Sequence, residues 1–331
     1  RQIVWREGLM MLDNLNKRLQ ALMPILTPLS LVIGVLLEDI GGHLLFLVPI
    51  LFAFMTFASS LSMNFKDMKS FTKYPVFILF TIAFLHILMP IWAYFLSTVI
   101  FDDYLLTIGF VLSVAVPTGV TSVIWVSICR GNLPLSLSLI LIDTLLAPII
   151  MPALIHVVVG EAIAINTTAL IFDLIWMIVL PSIAGIVLNE LTKGNVVKTL
   201  GKKLSPFSKL SLFGIVMING SKIAPYLKDI TWELAGVILV VFFLAASGYV
   251  ICLVIGPLIW KDPRIVTTLV FNGGMRNISV GVVVASAYFP AKVVMPVVFG
   301  MLFQQVLASL FSKLLEQYQA KKQQTYEASS A

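Results

Sequence analysis

Phe271-Asn272-Gly273-Gly274-Met275-Arg276-Asn277 interrupts an apolar run whose flanks, Ile265 to Val270 and Ile278 to Ala287, read as membrane-embedded. Paired glycines weaken a helix and let backbone carbonyls face a ligand. Irregular backbone survives at membrane depth only where protein buries it or where it lines a wet cavity. An intramembrane arginine is costly and marks a functional site by default. The stretch therefore predicts a helix broken inside the bilayer, with Arg276 at the break. A helix-end anchor snorkelling to the interface is the plainer alternative, and the adjacent glycines speak against it.

The composition agrees with a bilayer. The chain has 331 residues, 59% hydrophobic and 11% charged, where a soluble domain is about a quarter charged. Repeated apolar stretches of about 20 residues mean helices and not a barrel of alternating strands. Cys129 and Cys252 offer neither a disulfide framework nor metal-ligand spacing. The net charge of +6 does not suggest nucleic acid, because it comes from loop lysines. No catalytic triad, zinc cluster or phosphate loop is present, so an enzyme is not expected.

Residues Arg1 to Gln20 set Arg1, Arg6, Lys17 and Arg18 among Ile3, Trp5, Leu9, Met10, Leu12, Leu15 and Leu19, as in an interfacial amphipathic helix. Pro24 and Pro28 interrupt the next apolar run, which has no small-residue cleavage site, so no signal peptide is read. Ten membrane segments are expected: Ala21–Leu37, Leu44–Leu61, Pro75–Ile100, Leu105–Cys129, Leu133–Val159, Ile165–Leu188, Leu204–Ser221, Trp232–Ile259, Arg264–Phe289 and Val293–Leu315. Asn219 and Lys222 cut the seventh short. This divides the chain into residues 1–20, a transporter domain over 21–315 (repeats 21–160 and 165–315), and a polar tail over 316–331.

Lys and Arg set the orientation. One side collects the N-terminal cations, Lys66, Lys69, Lys73, Arg130, Lys193, Lys198, Lys202, Lys203, Lys209, Lys261, Arg264, Lys313, Lys321 and Lys322. The other holds Lys222, Lys228 and Lys292 beside Glu38, Asp39, Asp102, Asp103 and Glu161. Both termini are expected to be cytoplasmic, in a bacterial inner membrane.

Five segments plus five makes the second half inverted relative to the first, a common architecture of secondary transporters. Their binding sites lie at Gly/Pro-interrupted segments in corresponding positions of the two halves. Segment four carries Val116-Pro117-Thr118-Gly119-Val120-Thr121-Ser122, and segment nine carries the Asn-Gly-Gly stretch. Pro117 removes a backbone donor, and Gly119 and Gly273 tolerate irregular dihedrals. Each break leaves half-helix ends near the midplane, where positive N-termini attract anions and negative C-termini attract cations.

At this point the chain resembles the bile acid:sodium symporter superfamily, which also includes arsenite permeases and organic-anion carriers. The likeness runs from Met55 to about Leu310. It rests on Phe54 to Met63 leading into the basic loop Asn64-Phe65-Lys66-Asp67, and on His86-Ile87-Leu88-Met89-Pro90. Thr121 to Asn132 and Gly274-Met275-Arg276-Asn277 complete it. The resemblance implies an all-α polytopic membrane protein of ten transmembrane helices in two inverted five-helix repeats. Helices four and nine would be discontinuous and cross, within a core domain that moves against a panel domain. It also implies transport of an anion with sodium.

Departures from the family pattern shape the site. Sodium-coupled members use a carboxylate at the position of Asn272 and an amide at Arg276, with Ser-Asn in helix four and hydroxyls on helix five. This chain keeps Ser122 and Ser136 but has Val123, Ile140, Asn272 and Arg276 at the others. A hard cation wants several oxygens with a carboxylate among them, and a nearby guanidinium repels it. Arg276 thus stands as a built-in cation in place of sodium, and the sodium site reads as degraded. Asp143 is either a counter-ion to Arg276, a protonatable coupling group, or a structural ion pair. Thr121, Ser122, Ser136, Asn272, Gly274, Met275, Asn277 and Gln304 complete the candidate substrate and ion site, and His86 is the histidine placed to carry a proton. Asp173 reads as structural or interfacial.

The expected function is secondary transport of a small organic carboxylate or sulfonate by alternating access. Proton or sodium would be the coupling ion, with no cofactor and no nucleic-acid partner. A sodium symporter and an arsenite exporter are the neighbouring alternatives. The second is weakened because Thr118 stands where that family places a cysteine. A channel or a membrane sensor is the alternative from another class.

Overall fold

The computed structural model describes residues 2–160, 165–227 and 231–330, without the side chains of residues 2–10, 13, 24, 68, 69, 71 and 321–330. Glu161 and Lys228 of the expected loops lie outside the described residues. So do Arg1, the side chains of Arg6, Lys69, Lys321 and Lys322, and the amphipathic face of residues 3–10.

The described chain is helical from end to end. The helices that matter are α1 (Gln2–Leu36), α2 (Leu47–Ser60), α3 (Pro75–Ile100), α4 (Tyr104–Ala115), α5 (Ser122–Ile128) and α6 (Leu133–Val159). They continue as α7 (Thr167–Leu191), α8 (Val197–Leu227), α9 (Trp232–Ile259), α10 (Pro263–Gly274), α11 (Ile278–Tyr288) and α12 (Ala291–Ser330). Polar caps start them where the sequence offers one. Asp103, Asn132, Asn166, Thr231 and Asp262 each accept an amide of the first turn. Pro263 adds a pre-set φ at the first position of α10.

The expectation of ten spans in two inverted five-helix repeats is corrected here. Among the described residues, six helices are long and apolar enough to cross a membrane: α3, α6, α7, α8, α9 and Ala291–Ala320 of α12. The two arms of α1, bent by 74° between Met23 and Ile25, make a seventh if they count as one span. The error lies in equating apolar run with helix. Segment two is a 14-residue helix, and segments four and nine are each divided into two short helices by residues that leave the helical path. In the opposite sense, α8 runs through Asn219 and Lys222 without a break. Asn219 Nδ2 donates back to the Ile215 carbonyl, and Lys222 Nζ donates to the carbonyls of Ser286 and Phe289. Their polarity is satisfied locally, so the helix need not end.

The divided segments are the innermost part of the molecule. Every residue is buried from Leu106 to Gly119, from Ile265 to Gly273 and from Ile278 to Ala285. Around them, α3 packs on α4, α9 on α10, and α12 on α4 and α11. On another side α8 packs against α1 and α2, and α2 against α7. Contact between α1 and α8 is made by backbone. A Cβ on Gly34 would lie 2.0 Å from the Met217 carbonyl oxygen, and one on Gly220 would lie 2.9 Å from that of Leu31. Small residues let membrane helices approach this closely.

An ion cluster ties the starts of α4, α9 and α12. Lys292 Nζ lies 2.7 Å from Asp103 Oδ2 and 2.9 Å from Glu233 Oε1. Partial burial pushes the Asp103 carboxyl up, but Lys292 and the cap amides of Leu105 and Leu106 pull it further down, leaving it below the ordinary 3.8. A folded value below the unfolded one stabilises above pH 3.8 and loses that stabilisation as pH falls through the folded value.

Two outcomes follow. Gly34→Val lowers the thermal midpoint by the equivalent of about 1–3 kcal/mol of overpacking, measured on the detergent-solubilised chain. Asp103→Asn, which keeps a cap acceptor, lowers the midpoint at pH 7, and the deficit closes as pH drops below 3.8.

Candidate functional site

Two short non-helical stretches meet at the centre of the fold. The first begins at Val116, which is extended (φ −71, ψ 153) because the ring of Pro117 excludes helical geometry before it. The second begins at Met275 (φ −97, ψ 129), so Gly273 lies inside the last turn of α10 and the break falls just after it. The stretches pair antiparallel, Thr118 opposite Arg276. Gly119 N donates to the Met275 carbonyl at 3.0 Å, and Asn277 N donates to the Pro117 carbonyl at 2.7 Å. Each break satisfies the backbone groups that the other leaves open.

Glycine is required where this pairing is tightest. A Cβ on Gly119 would lie 2.9 Å from the Arg276 carbonyl oxygen, and one on Gly274 would lie 2.4 Å from the Tyr249 ring. Side chains then lock the crossing. Thr118 Oγ1 donates to the Asn272 carbonyl at 2.7 Å, and Arg276 N donates to Gln304 Oε1 at 3.0 Å.

Ser122, Ser136 and Asn272 are brought together. Both serine hydroxyls donate to Asn272 Oδ1, at 3.0 and 2.8 Å. Asp143 is placed otherwise than as a hydrogen-bonded partner of Arg276. Its Oδ2 accepts the Thr118 amide at 2.6 Å and its Oδ1 lies 2.5 Å from His86 Nε2. Arg276 is within electrostatic reach of Asp143, yet its Nε and Nη1 have no hydrogen-bond partner although the residue is 5% exposed. Met275 is fully buried, whereas Thr121 and Asn277 line a cavity. Asp173 accepts from the Tyr288 hydroxyl, away from the crossing.

That cavity, of about 510 Å³, lies between the crossing and helices α1, α2 and α8. Lys202, Lys209 and Arg276 line it, and no acid is among the described lining residues. Hydroxyls of Thr56, Ser59 and Ser205 share the wall. A second pocket of about 30 Å³, room for one or two waters, touches Arg276, Ser113, Tyr249 and Gln304. Among the described residues no three His, Cys, Asp or Glu gather as a metal site.

Sequence reasoning missed Thr118, Lys202 and Lys209. Thr118 was weighed only as the residue standing in a cysteine's place, though a hydroxyl just after a helix-breaking proline is a natural tie for freed carbonyls. Lys202 and Lys209 were counted as loop charge. Their spacing with Ser205 (i, i+3, i+7) puts all three on one helical face, and that signal was available.

A buried crossing of interrupted helices thus lies beside a cation-lined cavity, among helices long and apolar enough to cross a membrane. The family model described as "Sodium Bile acid symporter family" matches residues 49–251. The chain belongs to that family and is a membrane-embedded secondary transporter. It is 42% identical over 300 residues to "Uncharacterized protein YbaS" of Bacillus subtilis, covering 90% of this chain and 98% of the relative. It is 23% identical over 277 residues to "Uncharacterized sodium-dependent transporter YocS" of the same organism, covering 82% and 85%. "Probable sodium/metabolite cotransporter BASS1, chloroplastic" of Oryza sativa is 24% identical over 237 residues, covering 72% and 57%.

Gly119→Ala forces its new methyl into the Arg276 carbonyl. Amide hydrogen exchange at Gly119 and Asn277 is expected to speed up by about tenfold or more, while exchange in α1 stays unchanged.

Proposed function

We propose that the protein carries a small organic anion, a carboxylate or sulfonate, across a bacterial inner membrane by alternating access, with sodium as the coupling ion. One observation carries the anion assignment: the large cavity is lined by Lys202, Lys209 and Arg276 and by no described acid. A water-filled cleft with cations of one sign concentrates anions. Guanidinium N–H groups that lack protein partners are charge-assisted donors for a carboxylate or sulfonate.

Sodium is supported by the names of two relatives, a "sodium-dependent transporter" and a "sodium/metabolite cotransporter". Within this chain, Ser122 Oγ, Ser136 Oγ and Asn272 Oδ1 form a compact oxygen cluster next to the crossing. All three are neutral oxygens, a donor type a hard cation takes. Lys202 and Lys209 lie on the lysine-rich side of the chain, so the cavity opens toward the cytoplasm and both termini lie there.

A specific observation favours a second reading. Asn272 is neutral where sodium-coupled relatives are expected to be acidic, and Arg276 already places a cation beside the cavity. On that reading Arg276 supplies the positive charge and no sodium binds.

Thermal midpoints in sodium against choline, at constant ionic strength, decide between them. Sodium coupling gives a saturating rise, equivalent to about 2.7 kcal/mol at a hundred times Kd. A flat response leaves the second reading, under which the double change Asn272→Glu with Arg276→Gln creates a sodium response. In proteoliposomes, Arg276→Gln is expected to abolish saturable uptake of carboxylates and sulfonates, and unchanged uptake would sink the anion assignment.

A further inference from the structure

Pro90 shapes a part of the site that the transport reading leaves unused. Its ring would clash with the carbonyl four residues back, which belongs to His86. The α3 helix answers with a π-turn over Phe84–Leu88. The turn carries His86, 4% exposed, against the fully buried Asp143. Asp143 uses one oxygen on His86 Nε2 and the other on the Thr118 amide, at the crossing itself. His86 Nδ1 is buried and has no partner.

This arrangement lets one proton come and go without rearrangement. With Asp143 ionised and the hydrogen on Nε2, that N–H donates to Asp143 in both states of the imidazole, and Nδ1 is the atom that gains or loses the proton. The charges then count as follows. With His86 neutral, Asp143 and Arg276 cancel, and an anion arriving at Arg276 leaves the buried set at −1. With His86 protonated, the set stands at +1, and the same anion brings it to zero. A net charge is far costlier at membrane depth than in water, so the anion prefers the protonated state.

We infer that Nδ1 of His86 is a proton-binding site that couples proton uptake to anion binding at Arg276. The inference rests on the reading of Arg276 as an anion site, and the charge count is that of the sodium-free site. Lys202 and Lys209 share the large cavity with Arg276 but are more exposed than the buried set. Cys252 and Tyr249 of α9 lie within electrostatic reach of Arg276, and their ordinary pKa values, about 8.5 and 10, leave them neutral below pH 8. Tyr104, His156 and Arg264 stand near the far ends of α4, α6 and α10. Linkage is reciprocal, so the anion must also raise the proton affinity of His86.

Methanesulfonate is the probe, because it stays ionised from pH 5 to 9 and brings no titration of its own. Its affinity for the full-length, detergent-solubilised chain is measured by calorimetry across that range, in buffers of differing ionisation enthalpy. The expected result is an affinity that falls about tenfold per pH unit above the His86 titration, with uptake of one proton per anion. His86→Gln keeps a donor to Asp143 but cannot take the proton. It is expected to flatten the slope and bind at the weak, high-pH affinity at every pH. A slope unchanged in His86→Gln, or binding without proton uptake, overturns the inference. The second measurement needs no ligand: histidine ring NMR, with His86→Gln to assign the signal. Arg276→Gln removes a nearby cation and is expected to move the His86 titration to higher pH, and an unmoved titration overturns the coupling. Absence of methanesulfonate binding at every pH would instead strike the anion reading, with the NMR result still deciding whether His86 and Arg276 are coupled.

Discussion

Two interrupted helices at the centre of a membrane protein share one constraint: a buried backbone group must find a partner. Pro117 and the Met275–Asn277 stretch both expose amides and carbonyls where water is scarce, and each supplies the other's partners through Gly119 and Asn277. The rest of the centre follows from that exchange. Gly119 must lack a Cβ, Thr118 must reach the Asn272 carbonyl, and Gln304 must meet the Arg276 amide. Neither break can slide by a residue without orphaning groups on the other, so Arg276 is held by backbone geometry and not by a partner for its charge.

That constraint also explains which parts were legible in the sequence. Proline and glycine act locally, so the interruptions could be placed by eye, to within a residue or two in the case of Gly273. The number of spans could not, because hydropathy measures the company a residue keeps and not the path of its backbone. An apolar run from Leu105 to Cys129 fits a spanning helix by composition, yet its two pieces end at Ala115 and Ile128. Asn219 and Lys222 misled in the other direction. Polar groups end a helix only if they cannot be satisfied on it, and here a helix carbonyl and the end of α11 satisfy them.

Within the site, legibility followed the range of the interaction. Ser122, Ser136 and Asn272 lie on three helices, and only a family resemblance could bring them together ahead of a structure. Asp143 was visible as an intramembrane acid, but its partners were not. Opposite charge alone pointed to Arg276. The actual arrangement depends on a π-turn that delivers His86 and on an amide freed by Pro117, neither of which is encoded in charge. Lys202 and Lys209 were discounted because positive charge in loops serves topology so often that a functional face within it is easily overlooked.

On the proposed anion reading, the unpaired guanidinium is what separates a working site from a structural one. Asp143 lies close enough to influence Arg276, yet its oxygens are committed to Thr118 and His86. An ion pair between them would give a more stable protein and a poorer carrier, since a charge fully satisfied by the fold has nothing left to offer a ligand. Leaving Nε and Nη1 open destabilises the empty site, and on the proposed reading a bound anion offsets that cost. Tying Asp143 to the Thr118 amide makes the acid part of the backbone crossing, so the electrostatics of the ligand site and the geometry of the two broken helices are one object. A change in charge at either end must then be felt as a change in the crossing, which is the kind of link a carrier needs between binding and movement.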